Sequence, residues 1–255
     1  MKQTTSYAKK IIEETSLNAW PCLRQMLYDG WVLRFANGYT RRANSVNPIY
    51  AGSLNVAKKI MECEQIYQAR QQTPVFKITP FVYPPNLDAF LAEAGYAKNA
   101  PTSVQWLDLT TLSSPDNTGV EHWETPTDPW IDDYARMNQV SATNRATLEA
   151  ILKAIVPQSY FMVIQEQGQT VSCGMGVLEG QYVGLFDIVT EPTQRNKGFG
   201  TYLVLNLLNC AKQQGAKRAY LQVMLNNEPA LNLYAKLGFE EIYQYWYRVL
   251  PTDAS

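Results

Sequence analysis

Histidine is nearly missing from this sequence: His122 is the only one in 255 residues. A catalytic zinc site built on several histidines is therefore excluded, and a Ser–His–Asp triad would have to use that single residue. Cysteine is scarce and scattered. Cys22, Cys63, Cys173 and Cys210 form no close pair with metal-ligand spacing, so no metal is expected and the four read as unlinked thiols of a reducing cytoplasm. Excess charge is absent too, with 22 Lys+Arg against 23 Asp+Glu and a net charge of -1. That argues against nucleic acid as a partner, because polyanion binding relies on clustered basic side chains. No apolar run approaches the ~18 residues that cross a bilayer. The first twenty residues, Met1 to Trp20, are polar and mixed in charge, without the apolar stretch of a secretory signal. A cytoplasmic protein with no membrane partner is the expectation.

What is present suits a packed α/β protein. Hydrophobic residues make up 46% and charged ones 18%, and the length exceeds a typical single domain of ~100–200 residues. Residues 113–118 (Ser-Ser-Pro-Asp-Asn-Thr), followed by Gly119, are turn-rich and apolar-poor, which predicts a linker between a domain at 1–112 and one at 119–255. In the first part, Trp31 to Ala36 reads as a strand, Asn37-Gly38 as a hairpin turn and Arg41 to Val46 as a second strand. Asn55 to Arg70 reads as a helix, Val75 to Ile78 as a strand, Leu87 to Ala94 as a helix and Val104 to Leu109 as a strand. In the second part, helices are expected at Pro129 to Asn138 and Asn144 to Ile155, and strands at Phe161 to Gln165, Val171 to Leu178 and Val183 to Val189. A helix over Gly198 to Gln213, a strand over Ala219 to Val223, a helix over Pro229 to Lys236 and a strand over Ile242 to Val249 complete the order.

The two parts can be superimposed. Trp31, Gly38 and Thr40 match Phe161, Gly168 and Thr170 at an offset of 130, and Leu87, Leu91 and Gly95 match Ala230, Tyr234 and Gly238 at an offset of 143. An old duplication with one copy shortened accounts for both offsets.

The stretch richest in chemistry runs from Asp187 through Ile188, Val189, Thr190, Glu191 and Pro192 to Arg195, Asn196, Lys197, Gly198, Phe199, Gly200 and Thr201. It is a strand, a turn, a basic Gly-rich loop and a helix start. Glycines let backbone amides approach a phosphate, the helix N-terminus adds partial positive charge, and Arg195 and Lys197 add full charge. A dinucleotide fingerprint would need glycine where Leu203 stands, and a Walker loop would need Gly-Lys-Ser/Thr, so kinase-like nucleotide chemistry is disfavoured.

The pattern Arg195-x-x-Gly198-x-Gly200 resembles the pyrophosphate loop of the GNAT superfamily of N-acetyltransferases. Downstream, Asn227-Glu-Pro-Ala230-Leu-Asn-Leu-Tyr234-Ala-Lys-Leu-Gly238-Phe239 resembles that superfamily's second motif, beginning 27 residues after Gly200. The resemblance covers residues 119 to 250 well and the first part weakly. It implies an α/β (α+β) fold of two acyl-CoA N-acyltransferase-like units, each a mixed, mostly antiparallel sheet flanked by helices. It also implies acetyl-CoA as co-substrate. The backbone of Ile188, Val189 and Thr190 would pair with the pantetheine arm, and a strand amide, that of Val189, would polarise the thioester carbonyl. Amides from Asn196 through Thr201, with Arg195 beside them, would hold the pyrophosphate; Asn227 and Ala230 would meet the arm. Tyr234 would be the general acid and Asp187 the candidate base, with Glu191 or a relayed water as alternatives. Cys173 lacks a neighbouring base and is disfavoured as an acyl carrier.

The first part lacks this equipment. Leu91 stands where Tyr234 stands, and Gly52 alone replaces the Gly-rich loop. It reads as a degenerate acetyltransferase-like domain that packs on the catalytic one and could wall the acceptor site. Three further groups stand out: the polar run Arg41 to Ser45, the acids Glu121, Glu124, Asp128, Asp132 and Asp133, and the alternating Tyr243, Tyr245 and Tyr247. Solvated surface is the simpler reading for the first two and sheet packing for the third, with acceptor binding the alternative for the first two. The expected activity is acetyl transfer to the primary amine of a small molecule or peptide by direct attack. A non-catalytic acyl-CoA sensor or scaffold is the rival. Acceptor identity, acyl length and oligomeric state are not encoded legibly.

Overall fold

The computed structural model describes residues 2–112, 120 and 122–251, so the expected linker at 113–118 and Glu121 lie outside the described residues. The chain opens with α1 (Lys2–Ala19), a helix that composition conceals. Its buried stripe is Ala8, Ile12, Thr15, Ser16 and Ala19. These sit at helical spacing, but only one is a large aliphatic, so no hydrophobic periodicity shows.

Two compact units follow from the contacts: Cys22–Ser103 with Tyr243–Ser255, and Met1–Pro21 with Val104–Ile242. In the smaller unit, β1 (Arg24–Tyr28) and β2 (Trp31–Phe35) form an antiparallel hairpin. Its two-residue turn, Asp29-Gly30, has φ of 41° and 82°, the left-handed pair that matches strand twist. Next come β3 (Val46–Pro48), α2 (Val56–Gln68), β4 (Val75–Ile78), α3 (Leu87–Glu93) and β5 (Ala97–Asp108), whose residues from Val104 on count to the larger unit. The strand expected at Arg41 to Val46 is corrected: Arg41–Ala43 is a turn of 3-10 helix and only β3 is extended. Asn44 is the cause. Its side chain accepts from the amides of Ala36 (2.7 Å) and Gly38 (2.9 Å) and donates to the carbonyls of Ala36 and Thr40 (3.2 and 2.8 Å). A side chain that satisfies this much backbone competes with a ladder.

The larger unit carries β6 (His122–Trp123), α4 (Asp128–Met137), α5 (Ala142–Lys153), β7 (Gln158–Glu166), β8 (Gln169–Glu179), β9 (Tyr182–Thr190), α6 (Phe199–Gln213), β10 (Arg218–Met224) and α7 (Glu228–Lys236). Thr127 and Ser141 cap α4 and α5 by accepting from Trp130 and Asn144 amides at 3.3 Å. The core forms where Leu203, Val204, Leu207, Leu208 and Ala211 of α6 meet buried side chains of β7 to β10. The chain closes with β11 (Glu240–Val249), which belongs to the smaller unit from Tyr243 on. Tyr243, Tyr245 and Tyr247 are all buried there, as sheet packing requires.

In the smaller unit the strand order is β1-β2-β3-β4-β11, and in the larger one β10-β9-β8-β7-β6. The mixed α/β character holds, with parallel pairing at β3–β4 and β9–β10.

The last strand is fastened by Arg248, which grips Asp88 of α3 at 2.7 and 3.0 Å and the Tyr96 carbonyl at 2.9 Å. The Arg248 guanidinium beside it holds the Asp88 carboxyl below the usual carboxylate range. A depressed folded-state value stabilises above the unfolded value of ~3.9 and stops doing so as pH falls through it. Arg248→Met is therefore expected to cost about 1 kcal/mol in urea unfolding at pH 7, Asp88 being partly exposed. The gap from wild type should narrow when unfolding is repeated at pH 3.

Candidate functional site

The strand ahead of the Gly-rich loop is interrupted at Asp187. Met175 pairs with Phe186 but Cys173 pairs with Val189, so β9 carries one extra residue, and Asp187 takes φ 53°. This is a β-bulge. Gly174, opposite, leaves room for it: a Cβ there would stand 2.5 Å from the Ile188 Cδ1.

Beyond the bulge β9 parts from β10. Their parallel register runs from Tyr182/Arg218 to Leu185/Leu221 and ends, although β9 continues to Thr190 and β10 to Met224. Which backbone groups face the gap follows from parity. Glu191 N–H donates to the Val171 carbonyl at 2.9 Å, and antiparallel ladder bonds recur at alternate residues. Val189 thus turns its N–H toward Cys173 on β8, and its carbonyl also accepts from Ser172 Oγ at 2.8 Å. Ile188 and Thr190 turn theirs to the open side.

The loop that follows is shaped by φ and space. Pro192–Gln194 is a 3-10 turn, Asn196 and Gly198 take φ of 63° and 90°, and α6 starts at Phe199. Gly198 is the N-cap and offers no side chain to the first amides of α6, which have no intrahelical acceptor. Gly200 is needed for close approach, since a Cβ there would lie 3.2 Å from Leu233 Cδ1 and 3.4 Å from Thr190 Oγ1. The end of β9, the start of α6 and α7 therefore converge at Gly200. Arg195 Nε reaches back to the Thr190 carbonyl (3.4 Å), while Lys197 Nζ bonds Gln194 Oε1 (2.6 Å) and stays exposed with Asn196.

On α7, Asn227 Oδ1 accepts from the Ala230 amide at 3.3 Å, capping the helix and leaving the side-chain NH2 to point elsewhere. Tyr234 is 8% exposed and packs edge-on against Phe239 at 5.7 Å. Burial pushes its phenol up to about 12. Cys173 is fully buried and burial pushes its thiol well up, which removes thiolate at neutral pH. Glu191 is ion-paired to Arg136, which also reaches Asp133 (3.3 Å) and the Thr170 carbonyl (3.2 Å). Asp132 is likewise paired, to Arg145 at 2.6 Å. Arg136, Ser172 and Gly174 brace this end of the strands without any sequence signal that marks them.

The helix-start amides of α6, the parted strand pair and the second motif on α7 sit together at Gly200. A family model described as the C-terminal part of a probable histone acetyltransferase, Rv0428c, matches residues 5–248. An uncharacterized N-acetyltransferase, YobR of Bacillus subtilis, is 31% identical over 243 residues, covering 93% of this chain and 97% of its own. The chain belongs to the GNAT-type N-acetyltransferase family. In fold, this acetyltransferase is similar to a GCN5-related N-acetyltransferase from Kribbella flavida, with TM-score 0.72, 14% identity and 95% of each chain covered. A tandem GNAT protein from the clavulanic acid biosynthesis pathway aligns with TM-score 0.62 and 15% identity over 88% of this chain and 79% of that one. The GNAT fold suggests acetyl-CoA as co-substrate, and the acetyltransferase's own geometry fits one. Gly198 leaves open space at the helix start, with nothing within 4 Å of where a Cβ would stand, and the open side of β9 can take an extended arm. Among the described residues no group of metal-ligating side chains occurs and no helix is long and apolar enough to cross a membrane.

Proposed function

We propose that this enzyme transfers an acetyl group from acetyl-CoA to a primary amine of a small molecule or peptide by direct attack. The parting of β9 from β10 beside the Gly198–Gly200 helix start carries this reading. Acetyl-CoA supplies an activated acyl thioester. Ile188 and Thr190 offer outward amides for its extended arm, as an added strand would use them, with Val189 between them holding β9 to β8. The Ile188 amide, next to the bulge, is placed to donate to the acyl carbonyl oxygen as negative charge develops. Amides of Asn196, Lys197, Gly198, Phe199, Gly200 and Thr201 take the pyrophosphate, with Arg195 and Lys197 supplying charge. Asn227 and Ala230 meet the arm on its other side. Tyr234 donates to the departing thiolate.

Asp187 is the base that relieves the attacking amine of its proton, held by the bulge rather than by regular strand geometry. Glu191 is unsuited because Arg136 occupies it. A panel of amino acids, polyamines, amino sugars and peptide N-termini identifies the acceptor. With that acceptor, Asp187→Asn is expected to lower kcat/KM by ~10²-fold with acetyl-CoA affinity unchanged. An unchanged kcat/KM would hand the proton to a water relay instead.

The halves 1–112 and 119–255 are further proposed as two GNAT-like copies that exchanged end elements. The left-handed pairs Asn37-Gly38 (φ 52° and 73°) and Gln167-Gly168 (φ 52° and 76°) at equivalent positions support common descent. The free cysteines suit a cytoplasmic location.

A further inference from the structure

The smaller unit holds a cavity of about 240 Å³ that shares no residue with the acetyl-transfer site. Trp31 and Lys59, 0% and 2% exposed, line it together with the exposed Leu54, Tyr83, Asn86 and Phe90. The turn behind it is built to hold one charge. Lys59 Nζ lies 4.1 Å from the Trp31 ring centroid and donates to the Asp29 carbonyl (2.5 Å) and Asp29 Oδ2 (3.0 Å). The Asp29 carboxylate also accepts from the amides of Ser53 (2.9 Å) and Leu54 (3.0 Å). Gly52 presses on the same turn, where a Cβ would meet the Asp29 carbonyl at 2.2 Å. The loop that walls the cavity is thus locked in place.

An ammonium has three N–H donors, and Asp29 takes two. Among the described residues that line the cavity Lys59 is the one with a charge; Asp29, its ion-pair partner, is not part of the wall. Asn86 adds an amide that makes no cap bond to α3. The remaining wall is aromatic and aliphatic. At this volume, below the ~300–1,000 Å³ of drug-sized sites, a single ring with a short acidic arm fits and a nucleotide does not.

We propose that this cavity binds a small aromatic carboxylate, its ring among Trp31, Tyr83 and Phe90 and its carboxylate on Lys59 and Asn86. The like charge of Lys59 disfavours an ammonium there, and a neutral alcohol of the same shape loses the charge-assisted bond.

Phenylacetate is the probe, with 2-phenylethanol and phenethylamine as controls, followed by tryptophan fluorescence and ligand-detected NMR on the full chain. Saturable phenylacetate binding with Kd below ~1 mM is expected, about tenfold weaker for the alcohol and absent for the amine. Lys59→Met should weaken phenylacetate at least tenfold. Should loss of the Asp29 partner unfold that variant, the exposed positions carry the test: Asn86→Leu and Phe90→Ala each weaken binding severalfold with melting unchanged. No saturation by ~10 mM in folded wild type overturns the site. Equal affinity for alcohol and acid overturns the head-group assignment, and full affinity in both surface variants overturns the location.

Discussion

Replacing Gly198 and Gly200 together by glutamate is expected to abolish acetyl-CoA binding while the chain still folds. Each position fails for its own reason. Gly198 sits at φ 90°, where a side chain is strained by roughly 1–2 kcal/mol. At Gly200 a Cβ would press on the Leu233 methyl at 3.2 Å. Leu233 is only partly buried, so the helix can yield, but the amides behind it then lose their aim. Two carboxylates would also occupy the helix N-terminus that otherwise attracts the pyrophosphate. Calorimetry should show one equivalent per wild-type chain and at least a hundredfold loss in the double variant, with Tm lower by a few degrees. Two equivalents in wild type would assign a second cradle to the smaller unit. Retained binding in the variant would place the phosphates elsewhere.

The elements around this cradle were the easiest to read from the residues. The strand over Val183 to Val189, the helices from Gly198 and Pro229 and the strand over Ala219 to Val223 match β9, α6, α7 and β10 within a few residues. Local chemistry marks them: glycines where φ must be positive, proline at a helix start, continuous apolar runs in buried parallel strands. Other elements depend on distant partners and left no local mark. β1 exposes Met26 and Leu27, so alternation gives no inside face. α1 buries small and hydroxylated residues, with Asn18 held by Glu179 at 3.1 Å across 161 residues. β11 reads correctly as a strand, yet its pairing with β4 and the Arg248–Asp88 grip, which show the unit it serves, have no local mark.

The candidate site could be written from the sequence as a list of residues and not as a geometry. Sequence order places Asp187 ahead of the amides, but nothing in it announces the bulge that shifts the register by one residue. Because ladder parity alternates, that shift decides whether Val189 or its neighbours turn their amides to the open side of β9. One extra residue on a strand therefore moves the whole donor set, a property of pairing that a motif cannot express.

Tyr234→Phe is expected to cut kcat by ~10²-fold with acetyl-CoA affinity unchanged. The hydroxyl sits on a ring packed against Phe239, so removing it leaves the aromatic contact intact. Burial pushes the phenol up to about 12, so it stays protonated through neutral and moderately alkaline pH. The kcat profile should accordingly show no falling limb from this group below about pH 11. The same shift limits its strength as an acid. A thiol's ordinary value is ~8.5, so complete proton transfer from Tyr234 to the departing sulfur runs uphill. In the proposed reaction the phenol would therefore act chiefly by donating a hydrogen bond to sulfur as charge gathers there, and the amine's proton would complete neutralisation. That places the loss near the bottom of the ~10²–10⁴ range for acid–base groups. An unchanged kcat in the phenylalanine variant would mean the thiolate departs into solvent unaided, and Tyr234 would then be a packing residue of α7.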